Sequence, residues 1–298
     1  MDEKRETTDD EQSAKVKWTS PLEMTEMNRL LRVARVAPAA LVFLVALAAL
    51  ASPAFADVTL KSTGSGKGMG MGGTMTTTTY IKGNKMRTDT VMGDTTRSMI
   101  FDIDAQKLYS FDSKKKEADV WDMQAFSANL QSSVDAAGMK SSIKANGQTK
   151  QIAGKNASGY DMELSVPATI GGPGGMKMTI TLSGPIWIVK GAPGTAEYLA
   201  FYKSAVEKGW IFSDPRGAKG NPGQAKAMAE MYRQLVATGG IPYEQETNFK
   251  MGGEGPMAAA MSKMGNVSMT QTVVSVETGT LAAELFAAPA GYKLKEQK

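Results

Sequence analysis

The sequence predicts an α+β protein built on an antiparallel sheet with one apolar face. Three observations carry this expectation. Residues Thr76 to Met123 read as short alternating strands separated by tight turns. Tyr160 to Val166 and Met176 to Ser183 alternate apolar and polar residues, the pattern of half-buried strands. Between Pro193 and Gly240 the apolar spacing changes to that of helices.

Composition narrows the chemistry before any motif is read. The chain of 298 residues is 42% hydrophobic and 21% charged, enough to bury a full core. It holds no His and no Cys. That excludes Ser-His and Cys-His nucleophile pairs, imidazole bases, disulfides and thiolate zinc sites. Any enzyme would work with carboxylates, Lys, Tyr, Ser or Thr, and any tight transition-metal site with Met and carboxylates. Aromatic residues make up only 7% of the chain while Met numbers 21 and Gly 31, so much of the apolar surface is soft and adaptable. The formal charge of +4 is mild for this size. Lys114, Lys115 and Lys116 fall at a hairpin tip, where a solvated turn is expected and a nucleic-acid patch is not.

Arg29 to Ala56 predicts a secretory signal peptide, with basic Arg29, Arg32 and Arg35, an apolar run from Ala39 to Leu50, and small Ala54 and Ala56 at the cleavage site. The apolar run is shorter than the roughly 20 residues a membrane span requires. Residues 1–56 are thus an N-terminal extension and leader, and 57–298 a single mature domain starting at Asp57. The polar stretch from Met1 to Glu23 fits no usual leader, which makes Met24 and Met27 alternative starts. With no Cys after the cleavage site there is no lipid anchor, and the expected location is periplasmic or secreted.

Along the mature chain, a first strand is predicted near Val58 to Ser62. The TGSGKGMGMGGT that follows is a Gly-rich loop. It fails the phosphate-loop pattern because Lys61 stands where the first Gly is needed and Gly68 follows Lys67. Gly83-Asn84 and Gly93-Asp94 supply hairpin turns, and Asp104-Ala105 and Asp112-Ser113 mark two more. Between them Met99, Phe101 and Ile103, then Tyr109 and Phe111, then Trp121 and Met123, are expected on one inward face.

A short amphipathic helix follows over Gln124 to Ala137, closed by Gly138. Strands resume over Lys140 to Ala153; then Tyr160, Met162, Leu164 and Val166, and after them Met176, Met178, Ile180 and Leu182, continue the inward face. A helix capped by Thr195 runs to Lys208 and stops at Gly209, and another starts at Asn221-Pro222 and ends at Gly239-Gly240. The loop between them carries Trp210, Ile211 and Phe212, which read as buried against the sheet, with a lid or a membrane-touching tip as alternatives. Strands over Tyr243 to Met251 and Val267 to Glu277 flank a Met-rich segment.

Four segments carry a family resemblance: TYIKGNKMR, IFDIDAQKLYSFDSKKKE, QTKQIAGKNASGYDMEL and LFAAPAGYK. The chain resembles an uncharacterised family of exported bacterial proteins in which an IKGxKxR hairpin, an IAGxxxxxY strand pair and a terminal F-x-x-PAGY recur. That family is similar in layout to the periplasmic lipoprotein carriers. The resemblance implies a strongly curved antiparallel sheet, an unclosed half-barrel covered by helices, and a carrier-like role. It covers about Thr79 to Val166 and the closing segment, while the helical stretch from Pro193 to Gly240 is longer than the family pattern.

Catalytic patterns are sparse. Asp102 with Asp104, and Glu244 with Glu246, each place two carboxylates on one strand face, as a glycosidase also would. The alternation points Asp102 toward water, so ordinary solvated carboxylates are expected. Ser113 to Lys116 and Ser141 to Lys144 have Ser-x-x-Lys spacing without the buried helix start such a pair needs. Met69, Met71 and Met75 form a Gly-flanked thioether group suited to Cu(I), echoed by Met257, Met261, Met264 and Met269. Against a metal stands the ordinary use of Met as a filler of adaptable apolar surfaces.

These readings predict an exported, non-enzymatic protein without a cofactor that binds or carries a hydrophobic ligand, a lipid or acyl chain, on the concave face of the sheet. Its expected lining is Met99, Phe101, Ile103, Tyr109, Phe111, Trp121, Met162, Met176, Met178, Trp210 and Phe212. Two alternatives stand beside it: copper binding through Met69, Met71 and Met75, and a structural or assembly role in the envelope with the stretch from Pro193 to Gly240 as docking surface. Expected partners are a hydrophobic small molecule or lipid and an envelope protein, with transient membrane contact and no nucleic acid.

Overall fold

The computed structural model describes residues 56–67, 73–133, 139–170, 176–210, 212, 215, 222–253 and 267–297. The predicted leader, and Met69 and Met71, lie outside them. In chain order the elements are β1 (Asp57–Lys67), β2 (Gly73–Lys82), β3 (Lys85–Met92), β4 (Thr95–Asp102), β5 (Lys107–Asp112), β6 (Glu117–Asp122) and α1 (Met123–Ser133). There follow β7 (Lys140–Ile152), β8 (Lys155–Ile170), β9 (Met176–Val189), α2 (Thr195–Glu207), α3 (Pro222–Ala237), β10 (Ile241–Gly253) and β11 (Val267–Gly279). A 3-10 turn (Ala283–Phe286) and β12 (Lys293–Gln297) complete the chain. The strands join in one sheet in the order β12-β6-β5-β4-β3-β2-β1-β11-β10-β9-β8-β7. Neighbours are antiparallel except β12, which pairs parallel to β6.

Turn chemistry sets this order. Gly83 and Gly93 each take φ 54 at the first position of a two-residue hairpin, where a side chain would be strained. The turns 103–106 and 113–116 hold four residues each and end on left-handed Gln106 and Lys116. Every one of these loops has an even number of residues, so the inward parity flips from strand to strand.

That flip corrects the predicted inward face. Phe101 stands opposite Leu108, and Leu108 opposite Trp121, so these three share the helix-covered side. Tyr109 and Phe111 point to the other side, together with Ile100 and Ala118. Alternation within β5 is consistent with either face; only the turn length decides between them.

The sheet is curved and unclosed. From β6 to β7 there are ten strand steps, about 48 Å if flat. Yet α1, which leaves β6, packs against α3, and α3 lies on β7 and β8. The two ends of the sheet therefore meet through helices on one side, which makes that side concave. Register shifts bend the strands between Lys61 and Ser62, between Pro242 and Glu244, and between Ala145 and Thr149. Gly184-Pro185 lies within β9, a central strand, where a Cβ on Gly184 would stand 2.1 Å from the Glu246 carbonyl oxygen.

Helices cover only a strip of the concave face, less than the predicted cover. Under them lies the main core, with Val58, Ile81, Met86, Phe101, Leu108 and Trp121 from successive strands and Phe201, Ala205 and Trp210 from above. Burying each large side chain here contributes about 1.5–3 kcal/mol. Farther along the same strands the face turns polar, through Thr77, Thr90 and Arg97. Thr77 and Thr90 join their hydroxyls at 3.1 Å, and Gln271 donates to Ser62 Oγ at 2.9 Å.

Two local expectations also change. Thr195 does not cap α2: left-handed Gly194 holds the cap position, and the Thr195 hydroxyl donates back to the Ala192 carbonyl at 2.7 Å. Asp102 is buried, not solvated; it accepts from the Ala105 N–H at 3.0 Å and pairs with Lys85 at 2.7 Å, tying off the β4–β5 turn. The end of α2 follows expectation. Gly209 takes φ 69, and the Trp210 N–H reaches back to the Ala205 carbonyl at 2.8 Å, which swings the Trp210 ring under the helix.

Candidate functional site

A cluster of aromatic rings sits at the boundary between the covered and the open parts of the concave face. The α2 side chains Tyr198, Phe201 and Tyr202 recur at helical spacing and face the sheet, since only that side of the helix finds apolar partners. Tyr202 stacks on Tyr232 of α3, with centroids 5.3 Å apart and planes 9° from parallel. Its hydroxyl donates to the Met86 sulfur at 3.7 Å. Burial pushes the Tyr202 and Tyr198 hydroxyls well above the usual phenol range, and burial raises Tyr232 as well.

Phe212, from the connection between α2 and α3, reaches into this group. Its ring lies 4.7 Å from Tyr232, 5.1 Å from Tyr202, 5.8 Å from Phe101 and 6.1 Å from Phe201. Phe212 is half-buried, whereas Trp210 beside Phe101 is 1% exposed. Trp210 Nε1 is buried without a hydrogen-bond partner among the described residues.

Of the predicted lining, Met99, Phe101, Ile103, Trp121, Trp210 and Phe212 come together in this one core. Met162 belongs to a separate cluster under α3, with Ile186 and Leu235, and accepts a contact from Gln245 Nε2 at 3.6 Å. Met178 is buried farther out, opposite Ala168, and the Met176 side chain lies outside the described residues. Tyr109 and Phe111 pack on the convex side against Tyr292 of the PAGYK turn. Of the thioether group only Met75 is described; it stands opposite Met92 and lies over Gly64, whose missing Cβ would touch its methyl.

The carboxylate pairs are engaged structurally. Lys208 binds Asp104 at 2.7 Å, and that hydrogen bond holds the Asp104 carboxyl below its ordinary range while pinning the end of α2 to the β4–β5 turn. Glu244 pairs with Lys150, which also covers the Trp187 ring, and Glu246 accepts from Asn248.

Next to the aromatic core the concave face opens into a polar cleft of about 390 Å³. Arg97, Ser110, Asp112, Lys114, Asp119 and Lys295 line it. The register makes the two regions neighbours. Met99 of the core stands opposite Ser110, and Ser110 opposite Asp119. Composition gave no sign of this cleft, because its charges come from two hairpin tips and the final strand. Helical spacing in the sequence places Tyr202 and Tyr232 on inward helix faces but gives no sign of Phe201.

No family model matches the chain, and no curated protein sequence does. Among solved structures it is similar to PNGF-II, with a TM-score of 0.33 and 11% identity, over 80% of this chain and 31% of that one, so it spans under a third of PNGF-II. It is also similar to a putative outer membrane lipoprotein-sorting protein domain from Vibrio parahaemolyticus, with a TM-score of 0.28 and 8% identity, over 78% of this chain and 90% of that one.

Proposed function

We propose that this protein is a non-enzymatic binder of a hydrophobic ligand, an acyl chain or lipid, exported to the cell envelope and holding its ligand at the aromatic edge of the concave face. One observation carries the reading. Phe212 is a half-buried ring from an interhelical connection, set among four rings of the sheet and helices. An apolar chain entering from the open side takes the place of that ring and keeps the same contacts. The orphaned Trp210 Nε1 lends further support, since a buried donor gains from a ligand oxygen brought within reach. Among the described residues no helix is long and apolar enough to cross a membrane. The leader supports export.

Native mass spectrometry of protein purified from its own envelope, followed by titration with a fluorescent fatty acid, tests this. Co-purifying lipid or saturable probe binding is expected. Protein that emerges ligand-free and also ignores the probe sinks the reading.

A further inference from the structure

We infer that Asn146 is a self-modifying site: its side chain closes onto the backbone nitrogen of Gly147, sheds ammonia and becomes Asp or isoAsp, which loosens the last strand of the sheet. Asn146-Gly147 is the only Asn-Gly pair in the chain. The fold sets it in the bulge of β7, where residues 146–148 lie between the pairs Ala145 with Tyr160 and Thr149 with Ser158, and face the single residue Gly159. The Gly147 N–H therefore lies outside the regular ladder. Gly147 takes φ 76 and puts no side chain beside its own nitrogen. Gly159 makes the room, since a Cβ there would stand 2.5 Å from Asn146 Oδ1.

Two hydrogen bonds prepare the reaction. The Gln148 N–H donates to Asn146 Oδ1 at 3.0 Å, and the ring that this bond closes contains both reacting atoms, Asn146 Cγ and Gly147 N. Asn146 Nδ2 donates to Asp161 Oδ1 at 3.0 Å, which holds the nitrogen that leaves. When Gly147 N gives its proton to solvent and attacks, the new C–N bond forms and the Cγ–Oδ1 π electrons move onto Oδ1, where the Gln148 N–H stabilises the growing charge. Collapse then breaks the Cγ–Nδ2 bond. Ammonia leaves with the proton that solvent took from Gly147, and a cyclic imide remains. Gly147 and Gln148 are exposed, so water reaches that imide. Hydrolysis at Cγ leaves a carboxylate facing Asp161 where an amide used to donate, and like charges so close repel. Hydrolysis at the main-chain carbonyl gives isoAsp, which adds a methylene group to the backbone of β7. Because β7 ends the sheet, loosening it bares an edge to other chains.

The test incubates the full-length mature chain, folded or unfolded in guanidinium chloride, at mildly alkaline pH, quenches it in mild acid and digests it with trypsin, which releases residues 145–150 as ANGQTK. Chromatography with mass spectrometry then counts the amide, Asp and isoAsp forms of that peptide. The folded chain is expected to convert about three- to tenfold faster than the unfolded chain, the weight of one net hydrogen bond on the intermediate. Gln148→Pro removes the donating N–H and should bring the folded rate down to the unfolded one. Folded protein that keeps the amide while the unfolded chain loses it overturns the inference, because the bulge then protects Asn146. Equal rates overturn it as well, since the fold then adds nothing to the reaction. Amide exchange across β7 and β8 should quicken in Asn146→Asp, and unchanged exchange there overturns the loosening of the edge.

Discussion

Phe111 and Tyr292 meet edge-on across the convex face of the sheet, their ring centroids 5.6 Å apart and their planes at 79°. Through this contact the chain's last turn clasps β5, beside Ile100 and Ala118, before β12 adds to the edge of β6. Phe111→Ala should lower the stability of the fold by about 3 kcal/mol, as for other buried rings. A double-mutant cycle with Tyr292→Ala should give a coupling of about 1 kcal/mol in urea unfolding. Additive losses would mean that the closing segment is not docked on this face.

Gln234 of α3 acts on the free edge of β7 as a neighbouring peptide would. Its amide donates to the Ser141 carbonyl at 3.0 Å and accepts from the Ile143 N–H at 2.8 Å. An edge strand with bare backbone groups invites pairing with other chains, and this side chain occupies part of that edge. Gln234→Leu should cost about 1–3 kcal/mol and raise the tendency to aggregate. Amide exchange at Ile143 is the direct readout. Unchanged protection there in the variant would show that the side chain does not hold the edge.

How much of this was legible beforehand differs residue by residue. Gly83 and Gly93 announced their hairpins, because a positive φ at a two-residue turn leaves a chemical signature. The facing of Tyr109 and Phe111 left none: Leu108 takes the concave side in their stead because a four-residue turn set the register. β12 was unreadable for a different reason. Its KLKEQ has no apolar alternation and is held by Lys295 to Glu117 and by Lys107 to Glu296, partners far away in sequence. Arg97 was one charge among many until the fold set it beside Met99 on an open face.

The buried tyrosines make stability fall at alkaline pH. Desolvation raises the folded-state pKa of Tyr198 and Tyr202 above the value of about 10 that they have when unfolded. Their contribution is complete below pH 10 and is lost as pH rises past it, because only the unfolded chain then ionises. Each should remove about 1.4 kcal/mol per pH unit above pH 10. Urea midpoints measured between pH 9 and pH 11 should therefore fall less steeply in Tyr202→Phe than in the parent protein. Parallel profiles would place the hydroxyl in water.

Phe212 divides its role between filling the aromatic core and excluding a ligand from it, and one substitution separates the two. If its ring stands where an acyl chain binds, Phe212→Ala removes a competitor held at high local concentration. The fluorescent fatty acid should then bind about tenfold more tightly, since the unliganded protein no longer has to give up its own ring contacts. Stability of the free protein should drop by about 2 kcal/mol, less than for a fully buried ring, because Phe212 is only half-buried. Ligand should restore that loss in proportion to its concentration. Weaker probe binding in Phe212→Ala would instead make the ring a wall of the site, and the open side of the concave face would then have to accept the chain without displacing it.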